Sequence, residues 1–124
     1  MKNLIAAILL LFIFVVAGVG KISNFTSTSI GMKNMMNLKF LPDIFFKLAI
    51  FMAILIEIVA PLIIVGNVFN LTSNKLAKYS IISLIVFTIF ATLIYHFPTN
   101  PGQKNPFMKN VAIIGGLMAY YALL

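Results

Sequence analysis

Four apolar stretches, at about 4–20, 43–66, 79–97 and 107–124, run through the chain, and the polar segments between them hold most of its lysines. A helix rises 1.5 Å per residue, so stretches of this length are close to what a ~30 Å hydrocarbon layer requires, the fourth being the shortest. With 62% hydrophobic and 9% charged residues, the chain has too few polar side chains to cover a water-facing exterior. Lipid offers the backbone no hydrogen bonds, so each stretch must satisfy itself as a helix, and short connections make neighbours antiparallel. The expectation is all-α: a transmembrane up-down four-helix bundle forming one domain over residues 1–124.

Nine lysines against Asp43 and Glu57 give a net charge of +7. In a soluble protein this would suggest nucleic acid. Here the lysines stand singly beside apolar runs, where lipid phosphates and snorkelling account for them, and nucleic acid is not an expected partner. The absence of cysteine excludes disulfides, thiol chemistry and Cys-ligated metals. His96 is the only histidine, which excludes haem held by two histidines, and no metal site is expected.

The first run follows Lys2 and ends in Ala17-Gly18-Val19-Gly20. A basic start, an apolar centre and small residues also suit a signal peptide. In a retained span, the same small residues would let a neighbouring helix approach closely. Residues 21–41 form the longest connection. Within it Ser29 suits a helix N-cap, and Met32, Met35, Met36 and Phe40 share one face, which suggests a short interfacial helix at 30–40. An irregular cap over the bundle end is the other reading. Pro42 and Asp43 suit the first turn of the second span, and Pro61, which cannot donate to the Glu57 carbonyl, predicts a kink. In the third span Thr88, Thr92 and His96 recur at i, i+4, i+8 and line one face. Pro98-Thr99-Asn100-Pro101-Gly102 stops that helix, and Pro106 opens the next.

Glu57 carries the most information. A carboxylate at mid-bilayer costs about 2.5–3.5 kcal/mol on insertion scales, so it needs a partner or a purpose. The topology brings Lys21, Asp43, Lys47, His96 and Lys109 to one membrane face, with Glu57 about 15 Å deeper than Lys47. A polar line from His96 through Thr92 and Thr88 to Glu57 is geometrically allowed. Its functional reading is a ligand or proton site. Its structural reading is a hydrogen bond that fixes helix packing. His96 by itself also suits a partly wet helix-capping residue. Lys109, expected in the first turn of the fourth span, opposes that helix's dipole and invites an anionic or polar partner, unless it snorkels to phosphate.

These residues resemble the DoxX family of small four-helix membrane proteins. The matching pieces are Gly18-Val19-Gly20-Lys21-Ile22, Glu57 followed by Gly66, His96 at the end of the third span, and Phe107-Met108-Lys109-Asn110 leading to Gly115-Gly116-Leu117. The chain departs from the family in lacking an arginine near the start of the first span and in having Pro61. The resemblance implies a place beside membrane oxidoreductases, since some relatives are the membrane subunit of a thiosulfate:quinone oxidoreductase, and it makes Lys21, Glu57, His96 and Lys109 the family's polar set. Fold-level likeness is not a mechanism.

Three functions are therefore expected, in order. The first is a small integral membrane subunit of quinone-linked redox metabolism, with Glu57 and His96 facing the head group, in a bacterial plasma (inner) membrane. The chain has no intrinsic cofactor motif, so quinone or a partner subunit would supply the electrons. The second is a non-catalytic accessory subunit that stabilises a larger membrane complex. The third is a small-solute or proton carrier, for which four short helices leave little room.

Overall fold

The computed structural model describes residues 2–36, 40–95, 102 and 104–124. They form five helices: α1 (Lys2–Ser23), α2 (Phe25–Met36), α3 (Asp43–Val68), α4 (Asn74–Tyr95) and α5 (Lys104–Ala122). Among the described residues there is no strand. Among the described residues, three helical segments are long and apolar enough to cross a membrane: Leu4–Ser23, Asp43–Val68 and Asn74–Ile94. Their outer faces carry large exposed apolar side chains such as Leu9, Phe12, Leu62 and Phe90, as a lipid-facing surface requires. α5 is different. Lys104, Asn105, Lys109 and Asn110 occupy its first two turns, and the apolar remainder to Ala122 is about 18 Å long, short of a ~30 Å core.

α3 packs against α1 on one side and α4 on the other, α5 packs on α4, and a thin α1–α5 contact closes the ring. The packed core sits at the end where α1 and α4 begin and α3 and α5 finish. It joins Ala7, Leu11 and Phe14 to Ala60, Ile64, Ile81, Leu84, Leu117 and Tyr120. Gly116 lets α5 reach α1 there, since a β-carbon on it would stand 3.1 Å from Leu10 Cδ1. Gly18 does the same for α1 and α3: a β-carbon would come within 2.8 Å of Ile58 Cγ1 and 3.2 Å of the Glu57 β-carbon. Of the small residues at the end of the first run, Gly18 thus serves close helix approach, whereas a β-carbon on Gly20 would meet nothing within 4 Å.

The segment 21–41 differs from the expected connection. The helical ladder passes straight through Asn24, whose amide donates to the Gly20 carbonyl at 3.1 Å and whose carbonyl accepts from the Thr28 amide at 2.9 Å. α1 and α2 are therefore one nearly continuous rod, and helix begins at Phe25 rather than near residue 30. Ser29 is not an N-cap. It is buried inside α2 and donates to the Thr26 carbonyl at 2.8 Å. The Ser/Thr cluster reads as a loop in sequence because these hydroxyls compete for backbone groups. Here they bond carbonyls of their own helix, as Thr28 Oγ1 does to Asn24 at 2.7 Å, and leave the ladder intact. Residues 37–39, the end of the expected interfacial helix, lie outside the described residues.

α3 begins after Pro42, which has extended backbone at φ −67 and ψ 152, and continues helical through Pro61 to Val68. The α3–α4 turn is shorter than the polar stretch 66–78. Asn67 Nδ2 donates to the Thr72 carbonyl and to Asn74 Oδ1, Asn70 takes a positive φ of 61, and Ser73 Oγ caps α4 by accepting from the Leu76 amide at 3.1 Å. That cap starts α4 at Asn74, five residues before the apolar run it extends.

Candidate functional site

The end of the bundle opposite the core is not filled. A cavity of about 920 Å³ lies between the later turns of α1, the first half of α3, the second half of α4 and the start of α5, with α2 over it. Its walls are mainly apolar, with Phe14, Ile50, Ile56, Phe87 and Ile113 among them, and its polar groups are few: Lys21, Glu57, Thr88, Lys109 and Asn110 carry most of its chemistry. Met52 and Phe90 on its rim are more than half exposed, at 56% and 60%, so it opens sideways onto the apolar exterior. Volume and lining both suit a small-molecule site.

Glu57 stands 14 residues into α3, about 21 Å from Asp43 and near the middle of the helix. It is 1% exposed. Lys21 Nζ lies 2.7 Å from its Oε1. This corrects the depth expected of Lys21. It is not at the membrane face with Asp43 but roughly 20 Å further in, because Gly18 sets the α1–α3 register and carries α1 past its apolar end. Lys21 also lies 6.0 Å from the centroid of the Phe87 ring, within cation–π range. The apolar walls around the pair raise the cost of separating it, since an unpaired buried charge costs far more than the pair. Among the described residues no donor makes a well-aligned hydrogen bond to either carboxylate oxygen, and Oε2 has no partner of any kind.

The other predicted residues are placed as follows. Thr88 and Thr92 share the inward face of α4 and are buried. They do not form a donor line to Glu57. Thr88 Oγ1 donates to the Leu84 carbonyl at 2.7 Å and Thr92 Oγ1 to the Thr88 carbonyl at 2.6 Å, so both protons are spent on their own helix. Lys109 lines the cavity from an exposed position. α5 starts at Lys104, which puts Lys109 in its second turn rather than its first and weakens the expected conflict with the helix dipole. His96 lies outside the described residues.

One participant had no role in the sequence beyond closing the Phe107-Met108-Lys109-Asn110 motif. Asn110 is buried, lines the cavity and donates from Nδ2 to Thr92 Oγ1 at 3.0 Å, tying α5 to α4. The available signal was an amide immediately before the apolar part of the last span. The second acid, Asp43, takes no part. Its carboxylate pairs with Lys33 of α2 at 2.7 Å, well outside the cavity, with its side chain 70% exposed. Both acidic residues of the chain are thus paired with lysines of the α1–α2 rod, along matching stretches of α3.

Comparison with protein-family models, with curated proteins and with solved structures finds no match to this chain.

Proposed function

We propose that this protein is a small integral subunit of a bacterial plasma membrane, with α5 as a short fourth span, and that it holds a quinone-class molecule in the cavity for a membrane oxidoreductase. The observation that carries the reading is a buried, incompletely satisfied carboxylate beside an ammonium group, in an otherwise apolar cavity of ligand size that opens sideways. A flat ring with polar substituents and an apolar tail matches that distribution. The ring would lie against Phe14 and Phe87, its polar edge toward Lys21 and Glu57, and its tail would leave past Met52 and Phe90. The resemblance to DoxX proteins supplies the redox setting. Lys109 sits where it would meet a polar substituent near the rim, and His96 remains the proposed residue of the entrance.

A proton-carrying role has less support. Thr88 and Thr92 direct their protons to backbone carbonyls, so among the described residues no chain of donors leads away from Glu57.

The test is the ligand content of the protein purified in mild detergent. Extraction and mass spectrometry should find quinone at a near-constant ratio to protein, and Glu57→Gln should lose most of it. A ligand-free preparation whose melting temperature does not move when an alkylated quinone is added would overturn the reading.

A further inference from the structure

Resting on that reading, the polar end of the cavity distinguishes between the two redox forms of such a ligand. Lys21 and Glu57 are already engaged with each other through Oε1, and among the described residues Oε2 stays buried without a donor. The apolar walls around Oε2 offer none. The hydroxyls that line the cavity give their protons to their own helices, Thr88 to Leu84, Ser83 to Tyr79 and Thr28 to Asn24. Asn110 gives one N–H of its amide to Thr92. A molecule that brings only carbonyl groups can accept from Lys21, but it leaves Oε2 as it was. A hydroxyl donates to Oε2 and accepts from Lys21 with one group, which satisfies both halves of the ion pair at once.

We infer that the site is built for a ring that donates a hydrogen bond, so that it selects the hydroxyl-bearing, reduced form of the ligand over the carbonyl form, with Glu57 Oε2 as acceptor. Hydrogen bonds to a buried charge are about twice as strong as neutral ones, and a site made to receive a hydroxyl rejects analogues without it because its own acceptor stays unpaired. Selection of the reduced form would hold a quinol close to the subunit that oxidises it, or retain it after that subunit's partner has reduced it. The chain itself performs no electron transfer in this scheme. It is a binding and positioning element.

Three probes decide the matter on the unmodified full-length protein in detergent, handled without oxygen: an alkylated hydroquinone, the matching quinone, and the dimethyl ether of the hydroquinone. Binding is read by the shift in melting temperature and by equilibrium dialysis. The hydroquinone should bind on the order of 10- to 100-fold more tightly than either of the others. In Glu57→Gln, where the amide is both donor and acceptor, the preference should shrink to within a few-fold. Equal binding of all three to the unmodified protein overturns the inference and leaves the quinone-class reading standing. No binding of any of the three removes that reading, and the inference with it. The ether comparison needs no variant, so a Glu57→Gln protein that fails to fold does not protect the inference.

Discussion

The two ends of this bundle are made from the same four helices and similar residues, yet one is packed and the other is hollow. At the packed end, Ala7, Ile64, Ile81, Leu84 and Leu117 are each at most 1% exposed, and small residues such as Ala60 and Gly116 let the helices close on one another. At the hollow end, α1 and α3 remain close through Gly18, but the approach of α5 to α1 that Gly116 allows lies at the other end, and the space between the helices is left to a few polar groups. Lipid tails are as apolar as leucine, so helices in a membrane gain little from burying apolar surface against each other. Close packing and hydrogen bonds must hold them. The packed end uses the first device and the hollow end the second: the Lys21–Glu57 pair and the Asn110–Thr92 bond tie α1 to α3 and α5 to α4 around a space that side chains do not fill.

The largest test of that contrast is removal of one half of the ion pair. Lys21→Met leaves Glu57 buried and uncompensated, and should destabilise the protein by about 3–5 kcal/mol, the usual cost of breaking a buried pair from one side. The double substitution Lys21→Met with Glu57→Leu should recover most of that loss, since an apolar pair of similar volume asks for no charge compensation. Unfolding in a denaturing-detergent titration would read both. A single variant as stable as the parent would mean that the hollow end is wet enough to solvate a lone carboxylate, and that the pair does not hold α1 to α3.

How much of this was legible in the sequence differs between the two ends. Three of the four expected spans were; the fourth run folds as a helix whose apolar part is shorter than a span requires. The three were legible because apolar runs of membrane length have few alternatives in a chain this poor in charge. Glu57 stood out for the same reason. Its partner did not, because depth was counted from the end of the first apolar run. The helix continues past that end through Lys21 and into α2, and the register that brings Lys21 to Glu57 depends on a close approach at Gly18 that no spacing rule states. The Ser/Thr-rich stretch after it looked like a connection because its hydroxyls favour turns in water. In this fold they bond their own helix and the rod runs on. Asn110 was hidden by its position, since an amide next to a lysine at a span's start looks like interface. The empty space was illegible for a deeper reason. Periodicity shows which residues face inward but not whether the inward side chains meet.

A matched pair of substitutions tests whether they meet. Ala7 is fully buried at the packed end, and Ala17 lines the cavity nearly three turns further along the same helix. Ala7→Leu forces extra atoms into a filled space and should cost about 1–3 kcal/mol. Ala17→Leu adds the same atoms toward free volume, and its effect on stability should stay within about 0.5 kcal/mol. Thermal unfolding in the same detergent compares them directly. Equal penalties would mean that the hollow end closes in solution, and the contrast between the ends would lose its basis.

The smallest expected effect comes from the other acid. Asp43 and Glu57 lie on one helix, and each pairs with a lysine of the α1–α2 rod at 2.7 Å, so geometry alone does not separate them. Their surroundings do. The Asp43 carboxylate is largely exposed, where water solvates either partner alone and salt screens the pair. Asp43→Asn should therefore leave the unfolding midpoint unchanged at physiological ionic strength, in the experiment where Lys21→Met shifts it most. A comparable shift from Asp43→Asn would show that the Lys33 contact pins α2 to α3. The cavity would then owe its shape to a clasp at its outer end rather than to the charge pair at its inner one.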